Sequence, residues 1–206
     1  RAQPATSVKH VVSDCAMFEL LGQMPRPESV DLGIGTFAER NVILEPGLAF
    51  GTGTHPTTAM CLGWLDRTPL AGKRLLDYGC GSGILAIAAL ALGADRCTGV
   101  DIDPQALLAS RDNALRNACS ERLELCVPAA CPTEGYDVVV ANILSGPLVQ
   151  LAPTLRRYAA PATRIALSGI LAGQSAEVVA AFRPWVQLEL TAQQDDWVLL
   201  TGCVAD

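Results

Sequence analysis

Asp77, Gly79, Gly81, Gly83, Asp101 and Asn142 are the residues whose types and spacing could do chemistry. Asp77 closes a short apolar run, three glycines follow at alternate positions, and the chain then enters Ile84-Leu85-Ala86-Ile87-Ala88-Ala89-Leu90. Residues without a Cβ let bare backbone amides come close to a ligand at the start of a helix. Asp101 stands 18 residues beyond Gly83, where a carboxylate at the end of a second strand takes ribose hydroxyls. An adenosine-bearing cofactor is therefore expected. A dinucleotide site calls for Gly or Ala where Ile84 stands, and Asp77 would repel a pyrophosphate lying over the loop. S-adenosylmethionine carries an ammonium and a sulfonium and no phosphate, so the same carboxylate attracts it. Asp77 can also hold its own loop through backbone hydrogen bonds.

A second glycine-rich stretch, from Glu45 to Thr58, also runs into a helix, which Pro56 suits as a first residue. Thr57 and Thr58 fall in its first turn, where free amides and hydroxyls can hold a carboxylate. Gly47, Gly51 and Gly53 suggest a lid that orders over a ligand, with Phe50 packing on cofactor or substrate or anchoring itself in the core. His55 is expected to close the helix start rather than act as a base. Asn142 ends a valine-rich strand and is the candidate catalytic residue, contacting the cofactor or orienting an incoming amine through its side-chain oxygen.

These residues need elements to hold them. Leu75 to Asp77, Arg96 to Asp101, Leu123 to Cys126, Asp137 to Asn142, Thr163 to Leu167, Val186 to Ala192 and Trp197 to Thr201 read as strands, with Val42 to Leu44 as an earlier one. Helices are expected from Pro56 through Leu65, from Ile84 to the stop at Gly93, and from Pro104 with Leu107, Leu108, Ala114 and Leu115 facing the sheet. Further helices are expected over Leu148 to Tyr158 and Gln174 to Phe182. The pattern predicts an α/β fold, a doubly wound, seven-stranded, mainly parallel sheet with a C-terminal antiparallel hairpin. Its ligand crevice lies outside the C-terminal strand ends, where Gly79, Asp101 and Asn142 converge. Residues 1–41 read as an arm or linker with a short helix through Ala16, Met17, Leu20 and Leu21; residues 42–206 read as the catalytic domain.

The runs Glu45 to Thr58, Leu76 to Leu90, Gly99 to Pro104, Val140 to Leu148 and Leu167 to Leu171 together resemble the ribosomal protein L11 methyltransferases, the PrmA family. The loop Phe50-Gly51-Thr52-Gly53-Thr54-His55-Pro56-Thr57-Thr58 is the most specific of these. The resemblance implies a Rossmann-like, class I S-adenosylmethionine-dependent methyltransferase acting on lysine and N-terminal amines of ribosomal protein L11. It also implies cofactor contacts at Thr58, Gly79, Asp101 and Asn142. The family sets a small substrate-recognition domain before the catalytic one, and the residues present ahead of Glu45 do not resemble it.

Composition sets the remaining bounds. Half of the 206 residues are apolar, 17% are charged and the net charge is −6, so a large core is expected and a nucleic-acid-binding face is not. Eight cysteines fall singly in apolar segments without a Cys-x-x-Cys pair, and there are two histidines. Reduced thiols, no metal site and a cytoplasmic location are expected, with no membrane anchor or signal segment. Competing functions are a methyltransferase of another protein or small amine, a cofactor-binding domain without turnover, and a nucleotide-dependent oxidoreductase, which Asp77 and Ile84 disfavour.

Overall fold

The computed structural model describes residues 8–12, 16–19, 40–44 and 55–205. The main sheet contains β4 (Arg74–Tyr78), β5 (Arg96–Val100), β6 (Leu123–Cys126), β7 (Tyr136–Asn142), β8 (Ala159–Leu171), β9 (Gln187–Gln194) and β10 (Trp197–Cys203). Three further strands precede them: β1 (Val8–Val12), β2 (Ala16–Glu19) and β3 (Arg40–Leu44). The order in the main sheet is β6-β5-β4-β7-β8-β10-β9. Neighbours from β6 to β8 are parallel, and β10 is antiparallel to both β8 and β9. The expected edge hairpin is present, turning at Asp195-Asp196. The chain starts in the middle at β4, moves out to β6, and returns to β7 beside β4. Two neighbouring strands then lead away in opposite directions, leaving a crevice at their C-terminal ends.

The valine run of β7 is explained by helices on both faces. Val138 and Val140 pack with α1 (Pro56–Asp66) and α2 (Ile84–Ala91), while Val139 and Ala141 pack with α4 (Ser145–Arg156) and α5 (Ser175–Phe182). Successive strand side chains point to opposite faces, so a strand covered on both sides has no polar alternation to display. Ile84 to Leu90 are all buried, the condition under which a helix is apolar on every side.

Three expectations change. Ala16–Glu19 is a strand paired antiparallel with β1, with Lys9 opposite Glu19, and not the start of a helix. So short a segment nucleates helix poorly, and ladder bonds to a neighbour outweigh its propensity. On α3 (Pro104–Arg116), Leu108 and Leu115 are exposed, and the inward residues are Ala106, Ser110, Asn113 and Ala114. The seven-residue spacing correctly puts both leucines on one face, but that face looks outward because the inward one meets polar loop backbone. Strand β8 also runs past Pro161, where the ladder to β7 shifts register between Tyr136 and Val138 and Ala162 takes φ 64°. A bulge lets a proline lie inside a strand.

Strand β3 joins β1 in parallel in a three-stranded sheet ordered β2-β1-β3. Asn117, at the end of α3, accepts from the Ile43 amide at 2.8 Å and donates to the Ile43 carbonyl at 2.7 Å. One side chain thus makes the two bonds a neighbouring strand would make. Val42 and Leu44 are buried in the same core cluster as α1 and α2.

Candidate functional site

The glycine loop between β4 and α2 is fixed from below. Gly79 and Cys80 donate to the Val100 carbonyl at 2.7 and 3.0 Å, and Gly83 donates to the Cys80 carbonyl at 2.8 Å. Gly79 and Gly83 have φ of 80° and 79°, a region side chains disfavour. A Cβ on Gly79 would lie 2.4 Å from Ile143 Cγ2, and one on Gly83 would lie 2.9 Å from Ser110 Oγ. The loop is a thin shelf wedged between the end of β7 and the middle of α3, and a side chain is excluded sterically at Gly79 and Gly83.

Asp77, the penultimate residue of β4, lies beneath this shelf and is 1% exposed. Its Oδ2 accepts from the Ala86 amide in the first turn of α2 at 3.1 Å, so it serves as the cap that the N-cap residue Gly83 lacks. Its Oδ1 is buried without a hydrogen-bond partner among the described residues. Burial pushes the carboxyl up to about 7; the Ala86 amide opposes this and the Asp101 charge adds to it. Of the two readings of Asp77 from the sequence, bracing of its own loop is the one observed.

Asp101 follows β5, at the next strand end. Its Oδ2 accepts from the Gly81 amide at 2.9 Å and its Oδ1 from the Asp103 amide at 3.0 Å. Each carboxylate oxygen can accept more than one bond, so this anchoring orients the group while leaving acceptor capacity for hydroxyls. Ile102 beside it is 82% exposed, an apolar side chain at the mouth of the crevice that the sequence reading did not single out.

At the third strand end, Asn142 Nδ2 donates to Thr58 Oγ1 at 3.1 Å. Residues 84 apart in the chain meet here, joining the β7 terminus to the first turn of α1. The bond uses Nδ2 as donor and leaves Oδ1 as the acceptor end of the amide. His55 caps α1: its Nδ1 lies 2.8 Å from Thr57 Oγ1 and accepts from the Thr57 amide at 3.4 Å. Its ring meets Trp197 edge-on at 5.0 Å. Closing a helix start is thus its observed role. The structure brings together Thr58, Asp77, Gly79, Gly81, Gly83, Asp101 and Asn142; Phe50 and the glycines of the suggested lid lie outside the described residues.

Two further residues reach the loop. Ser110 Oγ donates to the Gly81 carbonyl at 2.8 Å, and Asn113 Nδ2 donates to the Ser82 carbonyl at 2.9 Å. The available signal was their helical spacing with Asn117, three polar residues along one stripe of α3. Among the described residues no cluster of metal-ligating side chains is found, no helix is long and apolar enough to cross a membrane, and seven cysteines are free thiols.

Residues 35–204 match the family model described as Ribosomal protein L11 methyltransferase (PrmA). A ribosomal protein L11 methyltransferase from Chromohalobacter salexigens is 62% identical over 164 residues, covering 79% of this chain and 55% of that protein. Its counterpart from Azotobacter vinelandii is 63% identical over 163 residues, with coverage of 79% and 56%. The chain therefore spans about half the length of the curated relatives it matches. Among solved structures, a ribosomal protein L11 methylase from Lactobacillus delbrueckii subsp. bulgaricus superposes with a TM-score of 0.74 at 30% identity, over 82% of this chain and 87% of that one. A strand order returning to a glycine shelf, a family model across most of the residues and relatives above 60% identity lead to one conclusion: the chain belongs to the PrmA family.

Proposed function

We propose that this chain binds S-adenosylmethionine and is the catalytic part of a protein N-methyltransferase acting on lysine and N-terminal amines of ribosomal protein L11. The observation that carries the reading is the buried, half-satisfied carboxylate of Asp77 under a loop in which a Cβ at Gly79 or Gly83 would collide with its neighbours. A phosphate placed there would meet a negative group in a dry setting, whereas a cationic amino-acid nucleoside is matched by it. The residues present fit that cofactor. The Gly79, Gly81 and Gly83 backbone would carry its amino-acid end over Asp77, Asp101 would take ribose hydroxyls, and Ile102 would give its base an apolar shelf. Thr58 and Asn142 would close the side facing the substrate, with Phe50 packing over it. When bound, S-adenosylmethionine supplies a methyl group already activated by a sulfonium.

The protein's remaining task is to align a neutral amine. A lysine of ordinary pKa about 10.4 costs about 4 to 5 kcal/mol to deprotonate at neutral pH, and burial near a cation lowers that cost by disfavouring the ammonium. Asn142 Oδ1, held by the bond from Nδ2 to Thr58, can accept a hydrogen from that amine and point its lone pair inward; no strong base is required. The same reading assigns residues 42–206 to the catalytic unit and 1–41 to the segment that leads into it, in a cytoplasmic protein with no direct nucleic-acid contact.

The test is incubation of the chain with labelled S-adenosylmethionine and unmethylated ribosomal protein L11, followed by mass spectrometry. Label on lysine side chains and the N-terminal amine is expected. Cofactor binding without transfer would instead assign a binding unit without turnover, and absence of binding would remove the reading altogether.

A further inference from the structure

The glycine loop is gripped from α3 by two side chains that the proposed reaction does not use directly. Ser110 is 0% exposed and Asn113 is 2% exposed, positions where a polar group costs stability unless it is bonded. Both spend their donors on the loop carbonyls, Ser110 on Gly81 and Asn113 on Ser82. With its hydrogen on Gly81, the Ser110 oxygen is the acceptor for the Cys80 thiol 3.6 Å away. The Gly81 amide is drawn to Asp101 on the other side.

Successive peptide groups of the loop are therefore held from opposite directions. A peptide plane whose carbonyl is tied to α3 cannot rotate without breaking that bond, and its amide direction is set with it. Glycine makes such tying necessary: three glycines in five residues have wide conformational freedom, and a shelf that must present fixed amides needs outside restraint.

We propose that Ser110 and Asn113 are positioning residues for the cofactor: they touch no ligand, but hold the Gly81 and Ser82 peptides in the orientation that binds it. This rests on the cofactor reading above, although the restraint itself exists without ligand. The preorganised loop avoids an ordering cost at binding, so its loss appears in affinity and in the cofactor KM more than in kcat.

The experiment uses Ser110→Ala, Asn113→Asp and, as a buried control on the opposite face of the sheet, Val178→Ala. Amide exchange is measured in the free proteins, and the affinity for S-adenosylhomocysteine by calorimetry well below each melting temperature. Expected are at least tenfold faster exchange at the Ser82 and Gly83 amides, which share peptide planes with the Gly81 and Ser82 carbonyls, and at least tenfold weaker binding in the first two. The cofactor KM should rise with kcat within about threefold, as affinity effects confined to binding require. Val178→Ala should change neither property, and Ser110→Thr, which keeps the hydroxyl, should restore most of both. Where Ser110→Ala fails to fold, Asn113→Asp supplies the measurement. Unchanged loop exchange, or affinity within twofold of the parent despite a lower melting temperature, would overturn the proposal. Failure of the parent protein itself to bind S-adenosylhomocysteine would count against the cofactor reading, while loop exchange still reports on the restraint.

Discussion

At the scale of single residues the chemistry turns on Asp77. Its folded-state carboxyl titrates near 7 against an ordinary value of 3.8. Below about pH 4 it is protonated in both folded and unfolded states. Between about 4 and 7 only the folded state keeps the proton, so its contribution to stability falls as pH rises through that window. Asp77→Asn, which keeps an acceptor for the Ala86 amide, should flatten this slope in denaturation measured from pH 4 to 8; an unchanged slope would place the titration elsewhere. A cation bound beside Asp77 favours the ionised form, so ligand binding at pH 6 should release protons. Calorimetry in buffers of different ionisation enthalpy measures this, and Asp77→Asn should abolish it. Asn142→Ala should lower kcat by roughly tenfold to a thousandfold, within the range lost when a single positioning group is removed, and change cofactor affinity less. A pure affinity effect in steady-state kinetics would make Asn142 a cofactor contact only.

At the scale of elements the glycine shelf and α3 set the tolerances. Gly79→Ala places a methyl group 2.4 Å from Ile143 Cγ2 at a φ of 80°. The substitution should cost on the order of 1 to 3 kcal/mol of stability through strain and reduce cofactor binding sharply, both readable in one thermal-shift series with and without ligand. Asn117→Ala removes both side-chain bonds to the Ile43 backbone and should cost about 1 to 2 kcal/mol in chemical denaturation. A change within error would mean that Val42 and Leu44 hold β3 by packing alone. The expected strands and helices of the main sheet are present because each carries its own local signal: glycine or proline at its ends, a valine run, an apolar period. Ala16–Glu19 lacked such a signal, and its conformation came from pairing with β1. For α3 the heptad spacing of its leucines identified a shared face but not its direction, since direction depends on which neighbour the helix meets.

At the scale of the whole molecule, the cofactor class predicts that S-adenosylhomocysteine at about one hundred times its Kd raises stability by about 2.7 kcal/mol; an unchanged melting curve would count against the assignment. The strand order explains why residues from four separate segments form one site, since β4, β5 and β7 end side by side and the first turn of α1 meets the end of β7. The sequence by itself determined the alternation of strands and helices, the glycine shelf, its two carboxylates and Asn142 at a strand end, because these rest on spacing along the chain and on residue chemistry. It pointed to Thr58 and Asn142 separately. Only the tertiary structure joined them across 84 residues, buried Asp77 with one bare oxygen, and turned Ser110 and Asn113 onto the loop. Those facts depend on the orientations of packed elements, and orientation is fixed by contacts between segments that no local pattern encodes.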